Sequence, residues 1–131
     1  LPDMTIGALA RAAGVHVETI RYYQRRGLLR TPARPAGGIR RYDTKDLARL
    51  RFIRRAKQLG FSLRDIRTLL QLDEQHCDDV RALAARKLAD VRARMADLES
   101  IAATLEAMIR QCEATGGPAC PIIDALTDPE A

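Results

Sequence analysis

Apolar positions in the first sixty residues recur at three- and four-residue steps, broken by glycine and proline. In "TIGALARAAG", Ile6, Leu9, Ala10 and Ala13 share one face, which predicts a helix capped by Thr5 and closed by Gly14. After a very short turn the pattern restarts in "VHVETIRYYQRRGLL". Val17, Ile20 and Tyr23 or Gln24 face inward, while Glu18, Arg21, Tyr22, Arg25 and Arg26 point elsewhere, and Gly27 is the expected cap. Two short helices across a tight turn, the second one basic, form the helix-turn-helix pattern. Residues 30–43 then carry two prolines and Gly37-Gly38. Extended arms on either side of the glycines predict a small hairpin, or wing, bearing Arg34, Arg40, Arg41 and Tyr42. A helix resumes in "TKDLARLRFIRRAKQLG", capped by Asp43 or Thr44, with Leu47, Leu50, Ile53 and Leu59 inward and Gly60 as its stop. "SLRDIRTLLQL" gives one more short helix from Ser62, with Asp65 placed as a capping-box-like partner.

From Cys77 to Gln111 there is neither Pro nor Gly. Ala84, Leu88, Val91, Met95, Leu98, Ala102, Leu105, Ile109 and Cys112 alternate steps of four and three, the heptad seam of a coiled coil. No second long helix exists in the chain to cover this seam, so a partner chain must, and a homodimer is expected. The fold class expected is mainly α. A winged helix-turn-helix domain with its following helices occupies residues 1–72, a dimerisation helix forming an antiparallel coiled coil residues 73–111, and a cysteine-bearing loop, short helix and tail residues 112–131.

Composition sharpens this division. Aromatic residues make up 4% of the 131 positions and Trp is absent, which favours helices over a β-sandwich. The net charge of +5 hides a split. Residues 1–70 carry 16 Lys+Arg against 5 Asp+Glu, and residues 71–131 carry 6 against 12. A half with net charge +11 points to a polyanion, most often nucleic acid. No run of about 18 apolar residues and no secretory leader pattern is present, so a cytoplasmic protein without a membrane partner is expected. A Gly-rich phosphate loop and a nucleophile elbow are missing, and His16 and His76 suggest no catalytic constellation. An enzyme is not expected.

Three cysteines without a leader argue against a disulfide scaffold and leave thiols for metal or redox chemistry. If Cys77 and Cys112 lie on one helix, 35 residues at about 1.5 Å each hold them roughly 50 Å apart. An antiparallel pair of such helices instead brings Cys77 of one subunit beside Cys112 and Cys120 of the other, giving two equivalent sites. Cys77 precedes the acidic pair Asp78-Asp79, as at a helix start. Cys120 precedes Pro121, which favours the first position of a short "PIIDAL" helix. Three thiolates suit a soft cation that accepts low coordination, whereas structural zinc ordinarily takes four ligands. His76 is read as a surface residue at the helix start rather than as the fourth. The competing reading is a redox sensor that forms a Cys112–Cys120 disulfide.

"TIGALARAAGVHVETIRYYQRRGLL", "GGIRRY", "RLRFIRRAKQLGFSLRDIRTLL" and "HCDDVRALAARKLADVRARMADL" together resemble the MerR family of transcriptional regulators, from about Thr5 to Leu126. His76-Cys77, Cys112 and "CPII" at Cys120–Ile123 resemble its mercury-responsive branch, where copper and silver relatives usually carry Ser in place of Cys77. The resemblance implies Hg(II) as effector, held by Cys77 of one subunit with Cys112 and Cys120 of its partner. It also implies a dimer on promoter DNA that represses without metal and, with metal, distorts the DNA so that RNA polymerase engages. Glu18, Thr19 and Arg21 are then assigned to base edges, and Tyr22, Arg26, Arg40, Arg41 and Tyr42 to phosphates. Seven residues separate Cys112 from Cys120, one fewer than is usual in mercury regulators, so Pb(II), Cd(II) and Zn(II) remain open as effectors.

Overall fold

The computed structural model describes residues 3–72 and 74–127; residues 1, 2, 73 and 128–131, on which three of the expected segment ends fall, lie outside them. Helices account for all its regular structure: α1 (Ile6–Ala13), α2 (Val17–Arg25), α3 (Thr44–Gln58), α4 (Leu63–Gln71), a 3₁₀ turn (Glu74–His76), α5 (Cys77–Thr115) and α6 (Pro121–Thr127). Two compact units divide the chain, Leu1–Leu83 and Ala84–Ala131. The first unit thus takes in the opening turns of α5, whose Leu83 is buried.

Capping chemistry sets the helix ends of the first unit. Thr5 Oγ1 accepts from Ala8 N at 3.2 Å to open α1, and Gly14 closes it in the left-handed region at φ 70°. A side chain at Gly14 would be strained and would also meet Arg54, whose Nη1 lies 2.6 Å from where a Cβ would stand. Ser62 Oγ accepts from Asp65 N to open α4. The choice between Asp43 and Thr44 falls to Asp43, which forms a full capping box with Asp46.

Leu9, Ile20, Leu28, Leu50, Ile53 and Ile66 are fully buried and form the centre of one apolar core drawn from α1–α4 and the chain after α2. Two expectations need correction. Leu59 does not face inward but is 58% exposed, and Ala56 occupies the buried position instead. Six residues beyond Ile53 amount to roughly 120° short of two turns, so Leu59 leaves the core face, whereas three residues keep Ala56 on it. The wing, secondly, has no hairpin ladder. Pro32 and Pro35 remove two donors from its outgoing arm. Its returning arm pairs elsewhere: Met4 and Tyr42 exchange both backbone hydrogen bonds, at 2.7 and 2.8 Å. A turn closed by Gly38 N to Pro35 O and a bond from Arg40 Nε to Pro32 O hold the loop together.

Among the described residues of this unit, Asp46 is the buried charged side chain. Its carboxylate takes the Arg30 guanidinium in two-pronged fashion, at 2.7 Å from Nε and 2.6 Å from Nη2, and accepts Asp43 N at 2.8 Å. This ion pair ties the segment leaving α2 to the first turn of α3. The hydrogen bond to Asp46 raises the Arg30 pKa further. The backbone N–H of Asp46 is the main cause holding the Asp43 carboxyl below its ordinary value, and Arg30 adds to it.

In the second unit α5 buries nothing of its seam. Leu88, Val91, Met95, Leu98, Leu105 and Ile109 are each 41–60% exposed. A helix of 39 residues with such a stripe is the form a coiled-coil strand takes before its partner is added.

Replacing Asp46 by Ala should cost about 2 kcal/mol in urea unfolding, since Asp43 N and Arg30, itself half in solvent, lose a buried charged acceptor. The Asp43 cap should act in acid. With a folded pKa below the unfolded one, its contribution is complete above the ordinary carboxylate range and is lost as pH falls through the lowered value. Asp43→Asn should therefore flatten the acid limb of a plot of urea midpoint against pH.

Candidate nucleic-acid interface and thiol centre

The solvent face of α2 carries the residues assigned to DNA, and its inner face explains why they are held there. Ile20 and Tyr23 anchor the helix in the core. Burial, and then the neighbouring Tyr22, push the Tyr23 phenol up. On the outer side Glu18 and Arg21 are exposed and paired at 2.7 Å. An exposed pair of this kind is worth little, so either partner can be drawn to another ligand at small cost. Thr19 is half-buried beside them. Tyr22 is exposed, tilted against Tyr23 at a ring separation of 5.9 Å. The Arg26 guanidinium stands 6.0 Å from the Tyr22 ring centre, the outer limit of a cation–π contact.

Arg21 and Gln24 of α2 face the loop across a cleft of about 320 Å³ that Arg34, Ile39, Arg40 and Tyr42 also line. Arg40 is half-buried with its Nε spent on Pro32 O, and Arg41 is exposed. Tyr42 is the most enclosed of the residues assigned to DNA. It is 3% exposed and its hydroxyl accepts from Gln24 Nε2 at 2.9 Å, so its ring belongs to the core at the root of the loop while its hydroxyl keeps a proton to donate. Gln24 is the residue that sequence reasoning undervalued. It donates to both Tyr42 Oη and the Arg30 carbonyl, so it latches the loop to α2. The available signal was a polar side chain on the inner face, four residues beyond Ile20.

Further basic residues serve the fold. Arg54 donates to Ala13 O at 2.8 Å and Arg49 to Leu28 O at 2.7 Å, while Arg67 on α4 donates to Arg26 O. These carbonyls close α1, follow α2 and end α2, where helix geometry leaves them without partners.

The three thiols are free. Cys77 is exposed and begins α5 directly after the 3₁₀ turn that ends at His76. Cys112 lies half-buried near the end of the same helix, and its carbonyl accepts from Gly116 N where the chain turns at φ 55°. Cys120, also half-buried, accepts Asp124 N at 3.0 Å through its carbonyl, so it opens α6 and leaves Pro121 in the first helical position. Heptad arithmetic adds one relation. Cys77, Ala84, Val91, Leu98, Leu105 and Cys112 fall at intervals of seven, so both α5 cysteines hold the same seam position. Within one chain, among the described residues, no three metal-binding side chains converge. As a donor set, three reduced thiols fit a soft cation better than Mg(II) or Ca(II), which take oxygen ligands.

Comparison with known proteins bears on these surfaces. The family described as MerR HTH family regulatory protein matches residues 4–73, and that described as MerR, DNA binding, matches residues 47–108. Over 128 residues the chain is 49% identical to the mercuric resistance operon regulatory protein of Shigella flexneri, covering 96% of this chain and 89% of that one. Its structure resembles the lead(II) complex of the transcription regulator PbrR691 from Ralstonia metallidurans CH34, with TM-score 0.78 and 37% identity over 94% of this chain and 98% of that one. It also resembles the mercury(II) complex of the dual function transcriptional regulator MerR from Bacillus megaterium MB1, with TM-score 0.75 and 36% identity over 95% and 100% of the two chains. Among the described residues no helix is long and apolar enough to cross a membrane.

The place of Tyr42 can be checked by substitution. Tyr42→Phe, which strands Gln24 but keeps the ring, should lower stability by about 1 kcal/mol. Tyr42→Ala should cost about 3–5 kcal/mol, read as a fall in thermal midpoint of the DNA-free protein.

Proposed function

The chain belongs to the MerR family of helix-turn-helix regulatory proteins, and from that premise we propose that it is a metal-responsive transcriptional regulator of mercury resistance. The observation that carries this reading is the exposed seam of α5, bounded at both ends by a cysteine in the same heptad position. Two chains laid antiparallel along that seam bury it. The same operation places Cys77 of one protomer beside Cys112 and Cys120 of the partner subunit, with the mirror arrangement at the other end. The thiolates would hold Hg(II) there as the effector, which supplies the cross-link between the subunits. No enzymatic role is required of any residue, in keeping with a family of regulators.

On DNA, the outer face of α2 would enter the major groove. Glu18, Thr19 and Arg21 would meet base edges, and Tyr22, Arg26, Arg40, Arg41 and the Tyr42 hydroxyl the flanking phosphates. Exposed charges at the first unit's surface support the electrostatic part of this assignment, since Arg41 and Arg26 sit on solvent-facing positions. Repression and activation would follow from one bound dimer. A shift in the ends of α5 on metal binding alters the geometry of the two DNA-binding units, and the operator is bent and untwisted to suit RNA polymerase. A second reading keeps this mechanism and changes the effector to Pb(II), Cd(II) or Zn(II). The shorter Cys112–Cys120 loop favours keeping it, and transcription from the native promoter with competing metals decides. Stronger activation by lead or cadmium than by mercury would remove the mercury assignment.

Cys77→Ser should abolish the metal response while leaving operator affinity within about twofold, measured by anisotropy. Mixed dimers of Cys77→Ser with Cys112→Ser chains should regain one metal site per dimer; recovery of none would contradict a shared site. Arg26→Ala should weaken binding to all sequences about equally and lower the slope of log affinity against log salt by about one.

A further inference from the structure

Three thiolates around a divalent ion leave a net negative charge, because each sulfur brings one and the ion cancels only two. The chain near the cysteines adds to that excess. Within four positions of Cys77, Cys112 and Cys120 stand six carboxylates against two arginines, Arg81 and Arg110. Arg110 is turned to Glu106 at 3.9 Å. Arg81 occupies a place where charge is unusual. Counting back by sevens from Ile109 passes Ala102, Met95 and Leu88 and arrives at Arg81. It therefore holds a seam position of α5 that is apolar at every later repeat, four residues beyond Cys77. Helical side chains lean toward the N-terminus, so residue 81 lies over the turn that residue 77 begins. The contact made shows this lean: Arg81 Nη1 donates to Asp78 Oδ1 at 3.1 Å, next to Cys77 in the chain. Both side chains of that pair are exposed, so the guanidinium can leave Asp78 at small cost.

We propose that Arg81 is the counter-charge of the thiol centre, a seam cation that offsets the excess negative charge of three thiolates holding a soft divalent ion. The inference rests on the metal-responsive reading above and on its shared site. A lone charge enclosed between two helices is costly, whereas one that meets an opposite charge there is compensated. Arg81 therefore weakens the empty seam and strengthens the filled one. A two-thiolate complex of the same ion is neutral and gains little from a cation, so Arg81 favours three sulfur ligands over two.

The test uses full-length dimers of the parent, Arg81→Gln and Arg81→Lys, loaded with one Hg(II) per cysteine triad and challenged with glutathione. Mercury retained after gel filtration is measured, together with the ultraviolet charge-transfer absorption of the three-sulfur site. Arg81→Gln should release Hg(II) at about fivefold lower glutathione than the parent, with a matching loss of that absorption. Arg81→Lys, which keeps the charge, should stay within about twofold of the parent. Added salt should weaken retention in the parent more than in Arg81→Gln. Without metal, Arg81→Gln should dimerise at least as tightly as the parent in sedimentation, because its seam has lost a charge. Equal resistance to glutathione in the parent and Arg81→Gln would overturn the inference. So would a loss in Arg81→Lys as large as that in Arg81→Gln, or a weaker metal-free dimer of Arg81→Gln, since either makes Arg81 a packing residue. A parent that retains Hg(II) no better than Cys77→Ser would overturn the shared three-thiolate site itself, and this inference with it.

Discussion

Carbonyl groups at the ends of short helices must find donors, and this chain finds them in arginine. Helices of eight and nine residues, such as α1 and α2, are too short to persist alone, so their stability comes from packing and from what closes their ends. Gly14 turns α1 off, and Arg54 then covers the exposed carbonyl of Ala13 from α3. Arg49 does the same for Leu28. These bonds run from α3 to the end of α1 and to the chain just past α2, so the pair of helices that would read DNA is aligned through its ends. The Arg30–Asp46 pair completes the frame by fixing where α3 begins.

A basic half-chain is therefore two populations of charge. Arg30, Arg49, Arg54 and Arg67 are directed at acceptors within the fold. Arg26 and Arg41 stand on the outside with their charge available to a polyanion. Net charge alone overstates the electrostatic surface, because a guanidinium engaged with a carbonyl keeps its charge but not its freedom to move. On the proposed reading phosphate recognition would depend on the second group, and the first group holds the fold that presents it.

Much of this was legible in the residues. Thr5, Gly14, Gly60 and Ser62 announce helix ends because capping is local chemistry, and the α5 seam is legible because its period is strict over many turns. Leu59 misled because a leucine near the end of a helix looks apolar wherever it faces, and only the register from Ile53 shows that it has left the core side. The loop misled because glycines suggested a tight turn while Pro32 and Pro35 had already removed the donors a ladder needs. Tyr42, beside two arginines, gave no sign that its ring would be buried. Its burial follows from pairing with Met4 and bonding to Gln24, contacts between residues far apart in sequence that no local pattern encodes. The cysteines are the opposite case: their chemistry is plain in the sequence, and on the proposed reading their meeting requires a second chain.

The unburied stripe along α5 makes the amount of protein a thermodynamic variable. On the dimer reading, most of the apolar surface of residues 84–112 leaves water only on association, so stability has no value apart from protomer concentration. A cell that makes few copies holds a larger share as single chains, with seams open and no shared thiol site. Expression level would then set how much of the regulator is complete before any effector arrives.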